Sequence, residues 1–162
     1  MYLKNSILIV GGTGFIGYHL AKRCLKKGWD VTSISLSKPK KKRFLQNVKY
    51  LICDISNKEE LRKKTLKHFK YIVNMSGHVN HFDKIQTYKS HYVGCKNLIE
   101  IFLKKKPKSF IQIGSCVEYG NARSPQRENS KLTIKLIKST YGKAKLSATQ
   151  YIINLYKKTK FP

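Results

Sequence analysis

Residues 6–17 read S-I-L-I-V-G-G-T-G-F-I-G, and the rest of the chain is organised around them. The apolar run at 7–10 is a short buried strand, and a glycine cluster follows at once. Phe15, Ile16, Leu20, Ala21, Cys24 and Leu25 then recur at helical spacing. The order is strand, glycine turn, helix. Gly12, Gly14 and Gly17 satisfy G-x-G-x-x-G, and Gly11, Gly14 and Gly17 satisfy G-x-x-G-x-x-G.

Glycine has a specific use here. A chain reversing from strand to helix needs backbone angles that a Cβ forbids. A pyrophosphate must also come close to the main chain, where the unpaired N–H groups at the helix start bind its oxygens. Gly17 then lets the helix pack tightly on the sheet. A tight turn without a ligand is the plainer alternative. The correct flanks on both sides favour dinucleotide binding.

Outward from this stretch, strands and helices alternate. Further strands are expected at 31–36, 49–53, 71–75 and 109–113. Ser56-Asn57-Lys58-Glu59 reads as a capping box opening a helix to about Leu66. An amphipathic helix is expected over 86–104, stopped by Pro107, then a polar loop over 121–131 and a last helix over 140–158. Alternation of this kind means an α/β fold, a Rossmann-type doubly wound parallel sheet of about five strands. Ligands in such sheets bind beyond the carboxyl ends of the strands.

Charge is the unusual feature: 34 Lys and Arg against 8 Asp and Glu, a formal +26. Solvated lysine-rich faces, attraction for anionic cofactors, and nucleic-acid or acidic-membrane binding compete to explain it. The lysines are spread over many segments, which favours the first, and no aromatic-interleaved basic motif supports nucleic-acid binding. No apolar run reaches membrane-span length. Residues 1–4 lead directly into the first strand, which leaves no room for a signal peptide. Cys24, Cys53, Cys95 and Cys116 form no C-x-x-C pair, so a reducing, cytoplasmic setting is expected.

Tyr141 and Lys145 stand four apart, on one face of the last helix. A tyrosine ionises near pH ~10, too high for a base at neutral pH, and an adjacent ammonium favours its phenolate. Ser115, at the end of the fifth strand, could hold a substrate oxygen while the tyrosine moves the proton.

G-G-T-G-F-I-G at 11–17, C-D-I at 53–55, G-S-C-V-E-Y-G at 114–120 and Y-G-K-A-K at 141–145 occur in this order. With them the chain resembles the extended short-chain dehydrogenase/reductase family, also called the NAD-dependent epimerase/dehydratase family. The resemblance implies a nicotinamide cofactor held along Gly11, Gly12, Thr13, Gly14, Phe15, Ile16 and Gly17. It implies adenine contacts from Asp54 and Ile55, with Ser76 and Gly77 along the cofactor. It also implies Ser115, Tyr141 and Lys145 as the catalytic set, and a nucleotide sugar as the commonest substrate. Three departures stand out. His91 occupies a position that is usually asparagine. Cys116 and Val117 replace the acid pair of sugar-nucleotide dehydratases, so water elimination is not expected. His78 and His81 sit three apart, a metal pair in outline but with no third ligand in view.

The leading function is therefore an NAD(P)-dependent oxidoreductase or epimerase working by hydride transfer. A non-catalytic dinucleotide sensor of the same fold is the alternative. NADP is favoured over NAD, because Ser35, Leu36 and Ser37 carry no acid where a ribose 2′-hydroxyl ligand would sit, and Lys38, Lys40 and Lys41 follow. The fold is expected to be incomplete over 1–162, lacking a substrate lobe and a sixth strand that would start at 160–162, with the fifth strand an open edge, so that the chain holds a dinucleotide but does not turn over substrate by itself. Pairing of two copies would be another way to cover that edge.

Overall fold

The apolar run at 7–10 becomes the middle of a sheet because both of its faces are covered. The computed structural model describes residues 4–130 and 132–162. The lead-in at 1–3 and Lys131, the end of the expected polar loop, lie outside the described residues. Five strands, β1 (Ser6–Val10), β2 (Asp30–Ser35), β3 (Val48–Ile52), β4 (Tyr71–Asn74) and β5 (Ser109–Gln112), pair in the order β3-β2-β1-β4-β5. Every pairing is parallel. This is the expected doubly wound arrangement.

The two-residue period of β1 divides the core. Ile7 and Ile9 face the layer of α1 (Phe15–Lys26), packing with Ala21, Cys24, Val31 and Val73. Leu8 and Val10 face the opposite layer, formed by α2 (Lys58–Lys64), α4 (Gly94–Phe102) and α5 (Thr140–Thr159). There they join Ile34, Leu61, Ile72, Leu98, Ile99, Phe102 and Ala148. A strand buried on both faces must be apolar throughout, which is why β1 shows no polar alternation.

Three local expectations shift. The cap of α2 is Asn57, whose side chain accepts from Glu60 N–H at 3.1 Å, one residue later than the expected box. The helix expected over 86–104 begins earlier, as α3 (Lys84–Tyr88), because Asp83 caps it by accepting from Gln86 N–H at 3.0 Å. That helix then widens to a π turn at Lys89–Val93 before continuing as α4. A π turn inserts one residue into the helical ladder and re-aims the side chains around it; here the re-aimed residue is His91.

The edge of β5 is less open than expected. Phe110 N–H donates to the Pro162 carbonyl at 3.1 Å, and Phe161 is buried with its ring 5.6 Å from that of Phe110. Residues 160–162, where a sixth strand was expected to start, thus already lie along β5. Ile111 and Ile113 remain exposed.

Candidate functional site

A cleft of about 400 Å³ opens beyond the carboxyl ends of β1, β2, β3 and β4. Its walls are Gly11, Thr13 and Gly14 from the glycine turn, then 34–37, 53–56 and 75–79 from the three neighbouring strand ends. Gln86 and Ser90 close one side. The turn depends on its glycines for measurable reasons. Gly11 has φ +85°, and a Cβ there would sit 3.0 Å from the Met75 carbonyl. A Cβ on Gly17 would lie 2.4 Å from the Gly11 oxygen and 2.6 Å from the Gly12 Cα, so α1 can approach the turn only without one.

Gly14 caps α1 with no side-chain hydrogen bond, and the first turn carries no acid. The first amide to find a helical carbonyl is Tyr18 N–H, to Gly14 O at 3.0 Å. The amides of Phe15, Ile16 and Gly17, in the first turn after the cleft-lining Gly14, are therefore without helical partners, a ready anion cradle. The Phe15 and Ile16 side chains are exposed outside the cleft wall, which leaves only the main chain of these residues for a ligand there. A cradle of bare amides with no competing carboxylate fits the pyrophosphate of a dinucleotide.

The other expected cofactor residues divide. Asp54, Ile55, Ser76 and Gly77 all line the cleft. The Asp54 carboxylate accepts from Ser56 N–H at 2.8 Å and so holds its own turn. Ile55 is buried against Gly94, where a Cβ would come within 2.4 Å of the Ile55 side chain. The Ser76 hydroxyl donates to Asn74 Oδ1 at 2.6 Å, and Asn74 Nδ2 donates to Gln112 Oε1 at 2.7 Å, tying β4 to β5 beneath the loop. Ser35 lines the cleft too, but its hydroxyl donates to the Ile34 carbonyl and accepts from Thr13 N–H at 3.2 Å. Lys38 is exposed and stands off the cleft wall. The Arg43 guanidinium lies 5.8 Å from the Phe15 ring centre, at the start of α1.

Ser115, Tyr141 and Lys145 lie off this cleft, beyond the loop at 75–79. Ser139 starts α5 by accepting from Gly142 N–H at 3.0 Å, which sets the phase that puts Tyr141 and Lys145 on one face. The Lys145 ammonium sits 5.9 Å from the Tyr141 ring centre and donates to the Ile113 carbonyl at 2.7 Å. That carbonyl is at the end of β5, two residues before Ser115, so the ammonium ties the helix to the strand end. Lys145 is buried, and burial lowers its pKa, opposed by the charge of Glu118 and by Cys95.

Histidines surround the tyrosine in a way the sequence did not disclose. His81 stacks on its ring at 4.1 Å and 10°, and His91 meets it edge-on at 4.8 Å. His91 is no solvated helix residue: it is 5% exposed, and its Nε2 donates to the His78 carbonyl at 3.3 Å. Its Nδ1 has no partner among the described residues. Burial first, and then the Lys145 charge, push the His91 pKa down to about 4, so the ring is neutral at ordinary pH. A Cβ on Gly77 would lie 1.9 Å from the His91 ring, which explains that glycine independently of any cofactor. Among the described residues no three His, Cys, Asp or Glu side chains group as a metal site, and His81 packs on tyrosine instead of pairing with His78 for a metal. Spacing alone could have flagged His91 as unusual, but not as buried.

Among the described residues no helix is long and apolar enough to cross a membrane. The model of the NAD dependent epimerase/dehydratase family matches residues 7–162. The chain is similar to the dTDP-6-deoxy-L-talose 4-dehydrogenase (NAD(P)(+)) of Kitasatospora kifunensis, at 28% identity over 153 residues, covering 91% of this chain and 46% of that protein. It is similar to the bifunctional UDP-glucose 4-epimerase and UDP-xylose 4-epimerase 1 of Pisum sativum, at 26% identity over 161 residues, covering 88% of this chain and 45% of that protein. The chain thus spans about half the length of these relatives. The solved structure of the epimerase Mth375 from Methanothermobacter thermautotrophicus superposes with a TM-score of 0.87 at 18% identity, over 99% of this chain and 50% of that one, a likeness of fold. With the family model matched from the first strand to the last residue, on a sheet whose strand ends carry the glycine cradle, this chain belongs to the NAD dependent epimerase/dehydratase family.

Proposed function

We propose that this chain works as an NAD(P)-dependent oxidoreductase or epimerase on a nucleotide sugar, with Ser115, Tyr141 and Lys145 as the catalytic set. The observation that carries this reading is the buried Lys145 ammonium 5.9 Å from the Tyr141 ring, at the strand end next to the glycine-lined cleft. A lysine is buried against desolvation only where something uses or compensates its charge. The dinucleotide, when bound, supplies the hydride acceptor or donor. Tyr141 takes the proton from a reacting hydroxyl, or gives one to a reacting carbonyl oxygen, and Ser115 holds that oxygen. Lys145 keeps a positive charge beside the phenol, held in place by the Ile113 carbonyl. The relatives named for dTDP- and UDP-sugars support the substrate class. The acid-free end of β2 supports NADP over NAD, through the cations of 38–43 and not through Ser35, whose hydroxyl is already bonded.

Tyr141→Phe removes the transferable proton and little else. In a form of the protein that turns over substrate, it is expected to lower turnover by at least about a hundredfold while leaving NADPH affinity unchanged. Near-normal turnover in that variant would sink the mechanism. Fluorescence titration is expected to show tighter binding of NADPH than of NADH, and the reverse order would overturn the cofactor preference. Water elimination is not expected, because Cys116 and Val117 hold no acid and Glu118 is turned into the protein, 6% exposed. A 4-keto-6-deoxy sugar product would refute that point.

A further inference from the structure

Among the described residues two charged side chains are buried, and they are of opposite sign: Lys145 at 4% exposure and Glu118 at 6%. In a chain with 34 basic and 8 acidic residues this is not chance pairing of abundant groups. Burying a carboxylate costs several kcal/mol unless its oxygens are satisfied and a counter-charge is near. Both oxygens of Glu118 are satisfied. Oε1 accepts from Ser115 N–H at 2.7 Å, and Oε2 accepts from the Thr149 hydroxyl at 2.7 Å.

One partner is in the proposed catalytic set, and the other stands on the helix that carries the rest of that set. Ser115 precedes the short 3₁₀ turn Cys116–Tyr119 and has an extended backbone, φ −153° and ψ 145°. Thr149 stands on α5 one turn beyond Lys145. A Cβ on Gly114 would lie 2.9 Å from Glu118 Oε1, so a side chain there would press on the same contact. One carboxylate therefore clips the end of β5 to the helix that carries Tyr141 and Lys145.

The groups facing Lys145 come from every element packed on it. They are the Ile113 carbonyl, Glu118 from the 3₁₀ turn, Cys95 from α4, His91 from the π turn and Tyr141 on its own helix. Burial pushes the Cys95 thiol up to about 12, and the His91 ring is down at about 4, so both are neutral across the working pH range. Glu118 is the one carboxylate in the set.

We propose that Glu118 is a positioning residue, which fixes the Ser115 main chain against α5 and supplies the counter-charge to the buried Lys145 ammonium. Its meaning for catalysis rests on the Ser115, Tyr141 and Lys145 reading above; its electrostatic part does not.

Glu118→Gln keeps the shape and an acceptor for Ser115 N–H while removing the charge. Nitrogen-15 NMR of the labelled protein would follow the Lys145 ammonium, identified by its loss in Lys145→Met. Its titration midpoint is expected to fall by about one pH unit in Glu118→Gln, with the other lysines unmoved. An unmoved Lys145 would overturn the proposal. Should Glu118→Gln be too unstable to titrate, the double variant Glu118→Gln/Lys145→Met decides. It is expected to melt higher than Glu118→Gln alone, because the stranded charge is gone. A loss of stability equal to the sum of the two single losses would overturn the counter-charge. Neither readout needs turnover. A shifted Lys145 together with a fully active Tyr141→Phe would sink the proton-transfer reading and leave this one standing; an unshifted Lys145 with a dead Tyr141→Phe would do the opposite.

Discussion

The glycine cradle and the tyrosine corner lie beyond the same edge of one sheet, and they are built from different materials. The cradle uses main-chain amides of a single stretch, and its side-chain requirement is that none be present at Gly11, Gly12 and Gly17. The corner draws side chains from four places: His81 in the loop after β4, His91 in the π turn, Glu118 in a 3₁₀ turn, and Tyr141 with Lys145 on α5. Three of these are buried and titratable. A site made of backbone tolerates a crowded, cationic surface because its donors are fixed by the fold. A site made of buried ionisable groups depends on mutual compensation, and its stability must vary with pH.

That contrast can be broken most directly at Gly17. A Cβ there meets main-chain atoms at 2.4 and 2.6 Å, which cannot rotate away. Gly17→Val is expected to cost more than about 3 kcal/mol and to abolish NADPH binding. Denaturant melts and cofactor titration would check both. Retained binding would show that the cradle is not what holds the dinucleotide.

The corner is tested at His91, with nearly as large an effect. Its folded pKa, about 4, lies below the ordinary histidine value of 6.5. At pH above that value both folded and unfolded states hold a neutral ring. As pH falls through 6.5 the unfolded chain takes a proton that the folded one refuses, so stability is lost down to about pH 4. The loss is expected to reach about 3 kcal/mol at pH 4. His91→Gln should remove that portion of the acid sensitivity while the carboxylates keep theirs. Parallel melts of both proteins between neutral and acid pH would show it, and identical pH slopes would mean that the ring protonates freely.

Gly28 sharpens the comparison with the smallest effect. It has φ +72° but nothing within 4 Å of a built Cβ. Gly28→Ala is expected to cost only about 1 kcal/mol, measured by denaturation, with NADPH affinity unchanged. A marked loss of affinity there would mean that any strained turn harms the cradle, and that Gly17 is not special.

Sequence patterns reached the two regions unequally. β1, the glycine turn and α1 were legible together because the signals are local: an apolar run, three glycines, then helical spacing. Tyr141 and Lys145 were legible as a pair because four residues on a helix make one face. Asp83 and Gln86 carry a capping signature at the true start of the third helix, but the apolar spacing of the amphipathic face begins only downstream of it. The π turn left no composition signal, so neither the burial of His91 nor its contact with Tyr141 could be counted from spacing.

What the amino-acid sequence determined by itself is the order of strands and helices, the anion cradle and the helical face bearing Tyr141 and Lys145. Each of these follows from backbone geometry and periodicity within a few turns of chain. Only the tertiary structure decided that Ser35 is already bonded to the glycine turn, that residues 160–162 lie against β5, and that Glu118, His91 and Lys145 share one dry corner. Those facts join residues 13 and 35, 110 and 162, and 118 and 145, across distances in sequence where no local rule operates. Packing sets the charge state of a group such as His91, because desolvation and neighbouring charges are properties of the packed neighbourhood and not of the residue.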